Sequence, residues 1–153
     1  YIRDGLDYTQ WLRNFKEGLS ISTNPRQMRL DYTITMPGLL ELKNIFDLSQ
    51  ELNTEVLTKI MFTFSDDEIL SPLALPKELL HTIIDEALEY MEPRATRKQR
   101  ALMDVIKNLK TRDTFTPTKK GKKRQEYLDK IRKQDITKIL SKDQRILEWW
   151  TNI

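Results

Sequence analysis

Apolar residues recur at helical spacing through most of this chain. Tyr8, Trp11, Leu12, Phe15 and Leu19 fall on one stripe of an amphipathic helix, with Asp7 placed to cap it and Gly18 at or near its end. The pattern then changes. Met28, Leu30, Tyr32, Ile34 and Met36 alternate with Arg29, Asp31, Thr33 and Thr35 until Pro37-Gly38, which predicts a half-buried strand over 28–36. A lone strand leaves its backbone groups unpaired, so it needs a partner. The chain near Ile21 is one candidate; otherwise the segment is merely extended, or helical.

Helical spacing returns with Leu42, Ile45, Phe46 and Leu52. Asn53 or Thr54 can cap a following helix carrying Val56, Leu57, Ile60, Met61 and Phe64, and Ser65-Asp66-Asp67-Glu68 offers a turn or another helix start. The strongest stripe is Leu79, Leu80, Ile83, Ile84, Ala87, Leu88 and Met91, opened by Pro76 at a first helical position and closed by Pro93. Thr96-Arg97-Lys98-Gln99 has capping-box spacing and introduces Leu102, Val105, Ile106 and Leu109. Residues 113–124, with Pro117, Gly121 and five cations, read as an unstructured loop. Beyond it Tyr127, Leu128 and Ile131, then Ile136, Ile139 and Leu140, then Ile146, Leu147 and Trp150 predict short helices, with Asp135 and Ser141 as caps.

These patterns predict one mainly α-helical domain over 1–153, a compact bundle of six or seven helices with one short β element near 28–36. The absence of an initial Met suggests a piece of a larger protein. No run of 18 apolar residues exists to span a membrane, and no secretory signal opens the chain.

Charge adds a second kind of order. Residues 1–93 hold 8 Lys+Arg against 16 Asp+Glu, whereas residues 94–153 hold 18 against 7. Only Pro93-Arg94-Ala95 separates the two strongly patterned helices at that boundary, so the acidic and basic halves are expected to pack as one domain. Segregated cations point to an anionic partner, phosphate first of all. The first cluster is Arg94, Arg97, Lys98 and Arg100 at a helix start. The second is Lys119, Lys120, Lys122, Lys123 and Arg124, continued by Arg132, Lys133 and Lys138. If the two share a face they form a sequence-tolerant nucleic-acid surface, with Phe115 and Tyr127 able to stack on bases. The competing reading is solvated lysines neutralised by the acidic half, with both aromatics serving as ordinary packing.

Chemistry is thinly provided. There is no Cys and a single His, His81, read as a boundary residue, which argues against disulfides, thiol catalysis, zinc sites and Ser/His/Asp triads. No phosphate-cradling glycine motif occurs, Asp66-Asp67-Glu68 lacks EF-hand spacing, and no metal, cofactor or small-molecule substrate is expected. Lys119-Lys120-Gly121-Lys122 matches a short nuclear-import pattern. Thr116-Pro117 resembles a proline-directed phosphorylation site whose phosphate would oppose anion binding. Trp149 and Trp150, about 100° apart on a helix, cannot both face one core stripe; either one is left for a partner protein or, the favoured reading, the terminal helix tucks into its own domain. Two non-enzymatic expectations follow: an intracellular, nuclear or chromatin-associated module touching nucleic acid through its basic region, or a helical interaction scaffold within a larger complex.

Overall fold

The computed structural model describes residues 7–24, 27–61 and 68–153. Among them are seven α-helices and one two-stranded sheet, so the class is mainly α with a short β element. Helix α1 (Tyr8–Ile21) starts where the Asp7 carboxylate accepts from the Gln10 N–H at 3.0 Å. It runs past Gly18, whose carbonyl accepts the closing bond from Ser22. None of its residues is buried, and Tyr8, Trp11 and Phe15 stack in succession along its side.

Strand β1 (Leu30–Ile34) confirms the alternating segment, but its partner is not near Ile21. The partner is β2 (Val56–Ile60), aligned parallel from Leu30↔Val56 to Ile34↔Ile60. Helix α2 (Leu42–Glu51) is the crossover that a parallel pair requires. The expected helix over Val56, Leu57, Ile60 and Met61 is therefore a strand, and Phe64 to Asp67 lie outside the described residues. The reason is partly local. β-Branched Val56, Thr58 and Ile60 suit one face of a pleat. Asn53, at φ +48°, turns the chain left-handed directly after α2, a conformation that Asn tolerates.

Pairing with β1 decides the rest. Thr54 supports it by donating its hydroxyl to the Met28 carbonyl at 2.9 Å. After β1 the chain turns tightly at Gly38, where a Cβ would stand 2.9 Å from Thr35 Oγ1 and 3.3 Å from the Tyr32 hydroxyl. Burial first, and Glu41 second, push the Tyr32 hydroxyl above its ordinary range, so it stays protonated and donates to the Gly38 carbonyl.

Helix α3 (Lys77–Met91) is the central element, burying Leu80, Ile83, Ile84, Ala87, Leu88 and Met91. Pro76 stands one position before it, and a 3-10 turn at Glu92–Arg94 ends it at Pro93. The capping box at Thr96 is present and leads through Arg97–Gln99 into α4 (Arg100–Leu109). Gln99 is buried and donates to Ser49 at 2.8 Å, and Ser49 in turn donates to the Thr54 carbonyl at 2.6 Å. This chain of bonds fastens the start of α4 to the α2–β2 turn. One apolar cluster runs from Leu30 to Trp150, so the acidic and basic halves share a single core.

The expected loop at 119–124 is instead the beginning of α5 (Lys119–Arg132). The Thr118 hydroxyl caps it by accepting from the Gly121 N–H at 3.2 Å, and Lys, Arg, Gln and Glu are good helix formers. Of the expected stripe Tyr127, Leu128 and Ile131, Leu128 is half-buried while Tyr127 and Ile131 lie outside, 64% and 60% exposed. Gly121, Gln125 and Asp129 face inward in its place. Lys133, at φ +53°, ends the helix before α6 (Thr137–Leu140) and α7 (Gln144–Asn152). Asp135 accepts from the Thr137 N–H, but the residue that precedes α6 is Ile136, and the α7 cap is Asp143, not Ser141.

Candidate interaction surfaces

Two surfaces are unfinished in different ways. The first is the sheet. Leu30 and Ile34 on β1 and Val56 on β2 are buried, with Tyr32, Thr58 and Ile60 half-buried on the same face. The other face presents Asp31, Thr33, Leu57 and Lys59 to solvent. Among the described residues an exposed Lys59–Asp31 ion pair, at 2.9 Å, spans it. Parallel sheets normally have both faces covered.

Helix α4 packs against β2, and among the described residues no further strand pairs with the outer edge of β1 or of β2. In the ladder Leu30 donates to the Glu55 carbonyl and Met61 donates to that of Ile34, both at 2.9 Å. By the alternation of a parallel pair, the backbone groups of Asp31 and Thr33 point away from β2, toward the outer edge of β1.

The second surface is basic, and folding divides the cations that the sequence grouped. Arg94 stacks its guanidinium over Tyr90, 3.7 Å from the ring centroid, and pairs with Asp47 at 3.5 Å. Lys98 donates to the Asn53 carbonyl. Arg97 and Arg100 border a shallow, open cleft with Met103, Asp104 and Lys107. This first cluster thus sits over the end of α2, while α5 lies against α7. Lys122 of α5 donates to the Trp150 and Thr151 carbonyls at 2.8 and 3.4 Å, closing the end of α7 rather than facing water. Lys119, Lys123, Arg124, Arg132, Lys133 and Lys138 are exposed and make no ion pair among the described residues; Lys120 is exposed too.

Elsewhere the two halves neutralise each other. Lys107–Glu92, Lys110–Asp85 and Arg145–Glu86 are cross-half ion pairs, and Lys142 pairs with Glu41. Arg145 grips Glu86 with both guanidinium nitrogens, at 2.6 and 2.9 Å, and also holds Asp143. These hydrogen bonds hold both carboxyls below their ordinary range. Sequence density could not separate these engaged cations from those that remain available.

Trp150 is buried and Trp149 half-buried, the division that their angular offset predicts. Both pack on the core, their rings edge to face at 6.4 Å, which leaves Trp149 only a partial surface for a partner. Thr116 is exposed just ahead of α5. Phe115 is half-buried against the core and donates its N–H to the Leu73 carbonyl at 3.0 Å. His81 is half-buried against the Lys110 carbonyl at 3.0 Å. Among the described residues no group of three or more His, Cys, Asp or Glu side chains could hold a metal ion, and no helix is long and apolar enough to cross a membrane. No family model, curated protein or solved structure matches this chain.

Proposed function

We propose that this chain is a protein-interaction module of a larger assembly, and that its principal contact is the open edge and bare face of the β1–β2 pair. The observation that carries this reading is a two-stranded parallel sheet that, among the described residues, has one exposed face and no strand beyond β1. The peptide groups of Asp31 and Thr33 are the docking groups, and the occupant is a strand that extends the sheet beyond β1. Its supporting structure would cover Thr33, Leu57 and the Asp31–Lys59 pair. The module's own role is binding; any chemistry belongs to what it joins.

A nuclear address has less support. The Lys119-Lys120-Gly121-Lys122 pattern is wound into the first turn of α5, with Gly121 buried and Lys122 engaged at α7. It does not present an extended signal.

Amide exchange tests the proposal. The Asp31 and Thr33 amides should exchange rapidly in the isolated chain and become protected in the assembly recovered from source cells. Thr33→Pro removes an N–H that the β1–β2 ladder does not use, so it should abolish assembly while the far-UV circular dichroism persists. Normal assembly by Thr33→Pro, or full protection of both amides in the isolated monomer, would exclude the edge as the contact.

A further inference from the structure

Helix α5 carries seven cations and two carboxylates in fourteen residues, which is extreme for a helix packed onto a core. At about 100° per residue, its faces separate cleanly. Gly121, Gln125 and Asp129 point inward, and Asp129 is fully employed there, accepting from Gln125 at 2.7 Å and from the Ile136 N–H at 2.8 Å. The opposite face carries Lys120, Lys123, Arg124, Tyr127, Lys130 and Ile131, bordered by Lys119 and by the single carboxylate Glu126, and every one of these is exposed. Lys119, Lys123, Arg124 and Lys130 have no carboxylate partner among the described residues.

Two features of this face point to one kind of ligand. From Lys119 to Lys130, the cations with no carboxylate partner among the described residues span about 16 Å at 1.5 Å per residue, which matches several consecutive phosphates of a polyanion. Tyr127 stands among those cations with its ring in water, 64% exposed. An exposed aromatic among cations provides a stacking platform for an unpaired base. Neither a duplex, whose bases are already stacked, nor an acidic peptide would use the ring in this way. A membrane surface is also a poor match. An interfacial helix needs a continuous apolar face to bury, and here Tyr127 and Ile131 are two residues among lysines while the other side is committed to the core.

We infer that the outer face of α5 is a binding surface for single-stranded nucleic acid, in which Lys119, Lys123, Arg124 and Lys130 track the phosphates and Tyr127 stacks on a base. This goes beyond the sheet-edge reading and is independent of it. It also narrows the basic region to one helical face. Lys122 and Arg94 fall outside it because their charges are already used, and Lys130 enters it although it lies outside the run of cations at 119–124.

The test uses the full chain and labelled oligothymidylate and oligouridylate of about 15 nucleotides, followed by fluorescence anisotropy across a salt series. Four phosphate contacts predict a log–log salt slope of about −3 for a single strand. Lys123→Glu with Arg124→Glu should weaken binding at least about tenfold and flatten the slope. Tyr127→Leu should weaken it about fivefold or more and leave the slope unchanged. Lys138→Glu, outside this helix, should bind like the parent, and unchanged melting of each variant would show that folding is intact. Duplex binding as tight as single-strand binding and indifferent to Tyr127→Leu would overturn the inference. So would no binding at all, or equal or tighter binding to polyglutamate or to phosphatidylserine vesicles.

Discussion

Helices α3 and α5 are nearly equal in length, fifteen and fourteen residues, and are held in place by different physics. The inward face of α3 is six apolar residues, of which Leu80, Ile84 and Met91 are completely inaccessible. Each such side chain contributes on the order of 1.5–3 kcal/mol by leaving water. The inward face of α5 is Gly121, Gln125 and Asp129, which bury little apolar area. Directional bonds position it instead: Gln125 to Asp129, Asp129 to the Ile136 N–H, Thr118 at its start, and Lys122 to the end of α7. Burial is additive and tolerant of small shifts, whereas a polar latch works only while every member is in place. α3 should therefore be the part of the molecule that folding depends on, and α5 the part that can be released without dissolving the core.

The comparison is sharpest under mutation. Ile84→Ala, at a fully buried position on α3, should cost about 2–5 kcal/mol in urea unfolding, because it both loses transfer energy and leaves a cavity. Asp129→Ala should cost less, about 1–3 kcal/mol, by stranding the Gln125 amide and the Ile136 N–H. Amide exchange should place that loss in α5 and α6, with α3 still protected. If Asp129→Ala exposes α3 amides as readily as Ile84→Ala does, the two helices are not independent and the contrast fails.

The smallest effect is expected from acid, at the contact between α3 and α7. Hydrogen bonds from Arg145 lower the Glu86 and Asp143 carboxyls, so their contribution is complete above the ordinary values of 4.5 and 3.8 and is lost as pH falls through the lowered ones. Both Glu86 and Arg145 are more than one-third exposed, so solvent screening limits the loss to well under about 1 kcal/mol. Thermal melts from pH 7 down to pH 3 should show a slightly shallower decline for Glu86→Gln than for the parent. Identical acid limbs would mean that the Arg145 grip contributes nothing to stability.

The same contrast explains what could be read from the chain alone. α3 and α4 were legible because apolar side chains at helical spacing and a Thr96–Gln99 capping box are local signals. β2 was not, because Val56, Leu57, Ile60 and Met61 satisfy a helical period as well as a strand. What settles their state is a pairing with β1 across the whole of α2. α5 misleads for another reason: apolar periodicity selects Tyr127, Leu128 and Ile131, yet two of the three are exposed, and the buried positions are Gly121, Gln125 and Asp129. Thr118 followed by Lys, Arg, Gln and Glu was the available signal, an N-cap ahead of strong helix formers. Among the basic residues, sequence density gave the neighbourhood but not the allocation. Lys122 and Lys123 are adjacent in the chain, and only the packing of α7 makes the first a structural cap.

Ion pairing between the halves leaves a final consequence. The carboxylates near the start of the chain cancel many cations near its end, so a sequence split into acidic and basic blocks folds into a mostly balanced exterior. Among the described residues, several of the cations without an ion pair line one ridge, α5, while the formal excess is only +3. Such a ridge should create a local field stronger than the net charge alone implies. In the field of an extended anionic body the molecule should rotate before it touches, arriving ridge first, and its orientation is therefore chosen during diffusion rather than after collision.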